Sequence, residues 1–342
     1  MIGIKIIKRE ANNIRKKLIS TNQLNKRYKV RSDDDFVYLP LIENYDETLL
    51  DQLIEKHPIE VDDYDFVMAE YRPTSFMDYL KDNISNDKIE DIRKSFDIIG
   101  DIVILEIPEE LEDEKEIIGQ AALKFTKRKS VYYKKSKVQG VTRTRQLEYL
   151  AGIDNLETIH KEFGLRFKLN PSTVYFSPRL ATERSRIVEQ VGDGEVIIDF
   201  FAGIGSFPIS IASVKDAEIY SIDINPEAYK YVQENIKLNK LAGTVIPLQG
   251  DVREVIKDLP HADRILMNLP GTAVEFLPLA VEYIKDGGII NYYEFNSSPD
   301  VVLDHVKDAV GDYSYKLLNI RKVRSQSPGV WHFGVDVKVL KK

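Results

Sequence analysis

At 342 residues, with 43% hydrophobic and 30% charged positions, the chain is too long for one ordinary core and is expected to form two or three domains. The absence of cysteine excludes disulfides, thiolate zinc sites and cysteine nucleophiles, and no apolar run approaches the roughly 20 residues of a membrane-spanning helix. The start, M-I-G-I-K-I-I-K-R-E, lacks a signal-peptide pattern, and the net charge of −7 argues against a uniformly basic surface, so a soluble, cytoplasmic protein is expected.

Residues 1–62 read as a small α+β unit, with helical patterns over Ala11–Leu18 and Asp46–Ile54 and a strand at Phe36–Leu41. The acid-rich run from Pro58 to Asp65 has little periodicity and leads into an expected linker at 63–72. A middle α+β unit follows over 73–170, with a helix at Ser75–Lys81 and a strand at Asp101–Ile107 stopped by Pro108. Glu109–Phe125 reads as a helix, its acids early and Lys124 late as the macrodipole favours. Between Lys124 and Arg145 stand nine Lys/Arg residues and no acid, with Tyr132 and Tyr133 among them. In an acidic protein this run is expected to contact a phosphate backbone, through Lys127, Arg128, Lys129, Lys134, Lys135 and Arg145. Glu157–Lys168 alternates apolar and polar residues around Gly164, a hairpin pattern.

From 171 to 342 strands and helices alternate. Val196–Asp199, Ile219–Asp223, Val245–Gly250, Arg264–Asn268, Ile289–Phe295 and Trp331–Leu340 read as strands, and Glu227–Lys240 and Asp300–Val310 as helices. The pattern predicts a Rossmann-like, doubly wound α/β sheet, mostly parallel. At its first turn, V-I-I-D-F-F-A-G-I-G-S-F-P-I (196–209), a β-branched strand runs into Gly203 and Gly205; Ser206 is expected to cap the next helix, with Pro208 in its first turn. Such a turn is expected to present bare backbone N–H groups to an anionic or nucleotide-like ligand.

Acids at three successive strand ends narrow the ligand. Asp199 ends the first strand, Asp223 the second in S-I-D-I-N-P, suited to ribose hydroxyls, and Asp251 the third in Q-G-D-V-R, suited to an adenine amino group. A dinucleotide fingerprint needs a third glycine where Pro208 stands. The set therefore fits S-adenosylmethionine, a cation needing no pyrophosphate cradle, held by Asp199, Phe201, Ala202, Gly203, Gly205, Asp223, Ile224, Asp251, Val252 and Asn268. The fourth strand exits into N-L-P-G: Asn268 offers both a donor and an acceptor to a base edge, and Pro270 a flat apolar contact.

Over essentially its whole length the chain resembles the archaeal tRNA (guanine(37)-N1)-methyltransferases. The resemblance rests on V-T-R-T-R-Q-L-E-Y-L-A-G (141–152), T-I-H-K-E-F-G (158–164), V-Y-F-S-P-R-L-A-T-E-R (174–184), D-F-F-A-G-I-G-S-F (199–207), S-I-D-I-N-P (221–226), G-D-V-R-E (250–254) and M-N-L-P (267–270). The pair Ala181-Thr182 stands where small residues, often glycines, are expected, and leaves Glu183 in register. The resemblance implies a class I methyltransferase domain fused to the middle domain, a small N-terminal domain that reaches the tRNA elbow, and methylation of the guanosine 3′ of the anticodon. A monomer is expected.

In that family's motif the counterpart of Glu183 is the general base for the N1 proton. Its carboxyl is expected to be raised by partial burial, because an ordinary carboxylate is a poor base for such an acid. Arg143 is the candidate to stabilise charge on O6, with Arg145 as the alternative contact to the guanine, and Asn268 to hold the base edge or the cofactor. Arg184 is expected to pair with the methionine carboxylate or shape the pocket, and Tyr175 to bracket the extruded base. No metal is required. His160 reads as structural, and His57, His261, His305 and His332 as lacking any constellation. Rival readings are C7-methyl or aminocarboxypropyl transfer in the wyosine pathway on the same nucleotide, a nicotinamide-dependent oxidoreductase, and a non-catalytic RNA-binding protein.

Overall fold

The opening residues form β1 (Ile2–Ile7), whose Ile4 and Ile6 are fully buried. With α1 (Lys8–Ser20), β2 (Arg31–Ser32), β3 (Phe36–Pro40), α2 (Glu47–Ile54) and β4 (Ile59–Asp63) it builds an antiparallel sheet of order β2-β3-β1-β4. Ile14, Leu18, Leu50 and Leu53 of the two helices close its core. Here the expectation for Pro58–Asp65 is corrected: β4 pairs with β1, Val61 opposite Ile4. Ile59 and Val61 alternate with acids, a period-2 signal that the acidic composition concealed. The structure, a computed structural model, describes residues 1–69, 73, 75–81, 83–92, 96–136, 140 and 144–341. Two compact units result, Met1–Thr74 and Ser75–Lys342.

The second unit begins with a single 3-10 turn, Phe76–Tyr79, capped by Ser75 where a helix was expected. It continues through α3 (Asn86–Asp91), β5 (Asp97–Ile99), β6 (Ile102–Leu105), α4 (Lys115–Thr126), β7 (Ser130–Lys134) and β8 (Leu147–Gly152), with sheet order β5-β6-β7-β8. The helix expected at Glu109–Phe125 is split: Glu109–Glu114 is 3-10, and α4 begins only at Lys115. The hairpin is present as β9 (Thr158–Glu162) and β10 (Leu165–Leu169), antiparallel.

The large sheet is assembled from α5 (Ala181–Gln190), β11 (Val196–Asp199), α6 (Ser206–Ala212), β12 (Glu218–Asp223), α7 (Pro226–Leu238), β13 (Thr244–Gln249), α8 (Val252–Val255), β14 (Ala262–Met267), α9 (Leu277–Tyr283), β15 (Ile284–Asn296), α10 (Pro299–Val310), β16 (Ser314–Ser327) and β17 (Val330–Leu340). Its order is β13-β12-β11-β14-β15-β17-β16. The first five strands are parallel; β17 runs antiparallel between β15 and β16. The order reverses between β11 and β14, which is where such sheets bind ligands at their carboxyl edge. β16 is absent from the expected strands because it is a mostly exposed edge rich in Lys, Arg and Ser.

Two details fix the surroundings of that edge. Asn235 and Asn239, one turn apart on α7, act as a substitute strand along β10. Asn235 Oδ1 accepts from Lys168 N at 2.6 Å and its Nδ2 donates to the carbonyls of Lys168 and Ile204, while Asn239 bonds both backbone groups of Arg166. The core is also shared between sheets: Ile99, Ile102, Ile104 and Tyr132 lie in one apolar cluster with Phe167, Phe176, Ile187 and Ile197.

Candidate active site

Gly205, at φ 78°, is the N-cap of α6; Ser206 makes no side-chain cap bond and is already the first helical residue, correcting the expected cap. A Cβ on Gly205 would stand 3.2 Å from Ile209 and Val232, so a side chain is excluded by backbone and by space together. Most of the loop's own donors are used within the chain. Phe201 N bonds Asp199 Oδ1 (3.2 Å), Ala202 N the Ile222 carbonyl (2.9 Å), Gly203 N Asp223 Oδ2 (2.7 Å) and Gly205 N the Ala202 carbonyl (3.0 Å). Four of the loop's N–H groups are thus bonded within the chain, which leaves the donors at the start of α6.

The three acids sit as the sequence placed them, at the ends of β11, β12 and before α8. Asp199 is buried, and burial, opposed by the Phe201 N–H and reinforced by Asp223, pushes its carboxyl up to about 7. Asp223 also accepts from Asn225 N at 2.9 Å, and Asn225 caps α7 and ties it to the Thr173 carbonyl. Asp251 caps α8 and pairs with Arg253, which holds its carboxyl below the ordinary range. Beside these acids Ile224 is 40% exposed, Val252 is buried, and Phe201 packs edge-on against Phe276. Acids suited to a positively charged ligand and an apolar side chain open at the rim fit a sulfonium nucleoside.

Glu183 occupies the first turn of α5 and is buried, with three donors on its carboxylate. Arg186 approaches from its own helix (Nη2 to Oε1, 2.7 Å), Arg321 from β16, and the Tyr293 hydroxyl from β15. Arg321 crosses over β17 at Gly334, where a Cβ would stand 2.8 Å from its Nη2 and 3.1 Å from the Tyr293 ring. Burial alone would push the Glu183 carboxyl up, but Arg186, Arg321 and Tyr293 together hold it below its ordinary value. The expectation of a raised carboxyl is thereby corrected: two guanidinium groups outweigh desolvation. Arg186 was legible as an i+3 neighbour; Arg321 and Tyr293, more than a hundred residues away, were not.

Arg184, also fully buried, gives its guanidinium to Glu162 in a two-point pair and to the Ser177 carbonyl, so its charge is met within the chain and not reserved for a cofactor carboxylate. His160 accepts from Gly100 N and stacks on Phe176, and burial lowers it toward the neutral form. Asn268 is half-buried at the end of β14. Pro270 is buried, its carbonyl accepting from Phe295 N at 2.9 Å, so it anchors the turn to β15 where an open apolar face was expected. Tyr175 is half-buried and its carbonyl lies beside Gly203. His305 does have a constellation: its Nδ1 is 3.0 Å from Glu294, which also accepts from Tyr292 and Asn296.

The basic run is less open than its composition suggests. Arg143 lies outside the described residues. Lys129 pairs with Asp101, Lys134 with Glu106 and Lys135 with Glu148, while Tyr132 is buried on Asp154. Arg145 is buried, its Nε donating to the Pro171 carbonyl, so a surface phosphate contact is corrected to an interior position. Lys127 and Arg128 stand exposed, and Arg128 and Lys129 line a cleft of about 870 Å³ with Lys161, Arg166 and Lys168. Among the described residues no acid or histidine cluster could hold a metal, and no helix is long and apolar enough to cross a membrane.

Residues 158–318 match the model of the TRM5/TYW2 methyltransferase domain, 76–155 that of the TYW2 N-terminal domain, and 3–49 that of the tRNA methyltransferase 5 N-terminal domain. The chain is 39% identical over 349 residues to the tRNA (guanine(37)-N(1))-methyltransferase Trm5b of Pyrococcus abyssi, covering 99% of each. The crystal structure of that protein superposes with a TM-score of 0.81 at 37% identity, covering 99% of both chains. The complex of aTrm5 and tRNALeu superposes at 0.79 and 35% identity, over 99% of this chain and 100% of that one. A tRNA(Phe) (4-demethylwyosine(37)-C(7)) aminocarboxypropyltransferase of Methanocaldococcus jannaschii is 39% identical over 248 residues, 70% of this chain and 96% of its own length.

Proposed function

The chain belongs to the TRM5/TYW2 methyltransferase family, and on that premise we propose how it carries out its reaction, the transfer of methyl from S-adenosylmethionine to N1 of guanosine 37 of tRNA. One observation favours this over the aminocarboxypropyl relatives: similarity to the two archaeal Trm5b proteins runs through 99% of the chain, whereas the transferase relative aligns with 70%.

S-adenosylmethionine, when bound, supplies a methyl group already activated as a sulfonium. We assign its ribose end to Asp223, its adenine to Ile224, Asp251 and Val252, and its positive charge to the neighbourhood of Asp199 and the 201–205 loop. Glu183 takes the N1 proton as the nitrogen–carbon bond forms and the carbon–sulfur bond breaks, so a neutral thioether leaves and the proton stays on the protein. A carboxylate held ionised is ready to accept; its weakness as a base is offset by stabilising the charge that moves onto O6, the role assigned to Arg143. Asn268 holds the base edge and Tyr175 brackets the extruded guanine. For the outer parts, the unit that ends with β4 and its following residues reaches the tRNA elbow, 73–170 carries the exposed Lys127 and Arg128 to the RNA, and 171–342 binds the cofactor. A monomer is proposed, and a tRNA substrate supports a cytoplasmic place of work.

The deciding experiment gives the purified protein two unmodified tRNA transcripts differing only in guanosine or adenosine at position 37, followed by mass analysis of the nucleosides. One added methyl on guanosine alone is expected. Equal incorporation into both transcripts, or a four-carbon addition, overturns the assignment.

A further inference from the structure

Asp336 of β17 is fully buried under α5 and has no part in the reaction as assigned, yet it shares both arginines of Glu183. Arg186 donates to Asp336 from Nη1 (2.6 Å) and Nη2 (3.2 Å), and Arg321 from Nη1 (3.2 Å), while Nε and Nη2 of both groups reach Glu183, the Nη2 of Arg186 serving both carboxylates. Asn291 Nδ2 (2.6 Å) and Gln190 Nε2 (3.1 Å) complete the donors to Asp336. Behind Asn291 stands Arg264, bonded to its Oδ1 at 3.0 Å and paired with Glu195. Two carboxylates and two guanidinium groups thus form one closed, charge-balanced cluster.

We propose that Asp336 is a positioning residue for the base: by sharing Arg186 and Arg321 it holds both guanidinium groups on the sheet side of Glu183 and takes up part of their charge, leaving Glu183 able to accept a proton. The inference rests on Glu183 being the base. The groups facing Glu183 are Arg186 from α5, Arg321 from β16 and Tyr293 from β15, with the His332 ring of β17 packed on Tyr293 at 5.5 Å. The adjacent Arg184 is closed on Glu162 and contributes no free charge.

Charge removal on the two sides has opposite consequences. Asp336→Asn leaves two guanidinium groups on one carboxylate, so Glu183 is held more tightly as an anion and becomes a weaker base. Arg321→Gln removes one guanidinium and has the reverse effect. The double variant restores the balance of one carboxylate to one arginine, and its profile returns toward the parent.

The test is single-turnover methyl transfer to a guanosine-37 transcript across pH, with saturating enzyme and cofactor, for the parent, Asp336→Asn, Arg321→Gln, the double variant and Glu183→Gln. Expected are an acid limb moved to lower pH for Asp336→Asn, with the plateau lowered on the order of tenfold and tRNA affinity unchanged, and a limb moved to higher pH for Arg321→Gln. Limbs that stay put, or that move in the same direction, while Glu183→Gln is inactive, overturn the inference. Full turnover by Glu183→Gln instead overturns the reading of Glu183 as the base, and the two failures are told apart by that arm. Circular dichroism verifies each fold; should Asp336→Asn fail to fold by itself, the double variant set against Arg321→Gln carries the test, since the two differ only at Asp336, and identical limbs overturn the inference.

Discussion

At Asp199 and Glu183 the same burial ends in opposite results, and the difference lies in the company each keeps. Glu183 meets two guanidinium groups and a phenol and is held ionised; Asp199 meets one backbone N–H and the repulsion of Asp223, and is raised to about 7. For a carboxyl whose folded value lies above its ordinary 3.8, the native state binds the proton more tightly than the unfolded chain. Stability is therefore lost as pH rises from about 4, and the loss is complete above about 7, amounting to at most roughly 4 kcal/mol at about 1.4 kcal/mol per unit. Asp199→Asn should escape this loss, so in thermal melts of the cofactor-free protein its advantage over the parent grows between pH 4 and 7 and then levels. An advantage independent of pH would show that Asp199 is already ionised in the native state. The identity of both acids was readable from strand-end spacing and motif, but their protonation was not, because Arg321 and Tyr293 reach Glu183 only through the folded sheet.

The paired asparagines of α7 show how an element can be completed by one that is not its neighbour in the sheet. β10 pairs with β9 on one side only, and Asn235 and Asn239 satisfy its other edge with side-chain amides, as a further strand would with backbone. Asn235→Leu leaves the Lys168 N–H and two carbonyls buried without partners, at a cost of about 2–4 kcal/mol. Urea unfolding should read it as a lower midpoint at unchanged slope; a loss under 1 kcal/mol would mean that water replaces the amide. The elements themselves were largely legible. Val196–Asp199, the Asn225-Pro226 helix start and the hairpin about Gly164 carry local signals of period, cap and turn. β4 and β16 were missed because acids mask the alternation of β4 and exposed lysine, arginine and serine fill β16, while their pairing partners, β1 and β17, supply the rest of the reason for being strand.

For the molecule as a whole, the charge balance matters more than the basic run. A chain of net charge −7 meets a polyanion through a few cations that are not already neutralised, and of Lys127, Arg128 and Lys129 the last is paired with Asp101. Converting all three to Gln should weaken tRNA binding and flatten the salt dependence by about two phosphate contacts, each worth roughly 0.7–0.9 in the log–log slope. Filter binding across salt concentrations measures this; an unchanged slope returns the run to a solvated face. The core shared by the β5–β8 sheet and the large sheet has a separate consequence, for synthesis on the ribosome. Residues 1–74 own their core and can close as soon as they emerge. Ile99, Ile102 and Tyr132 must wait for Ile197 and Ile219 of strands made later, so the nascent middle segment carries this shared part of its apolar surface unburied through that interval. A shortened chain can start at 75, but one that starts at 171 would leave that shared surface without its other half.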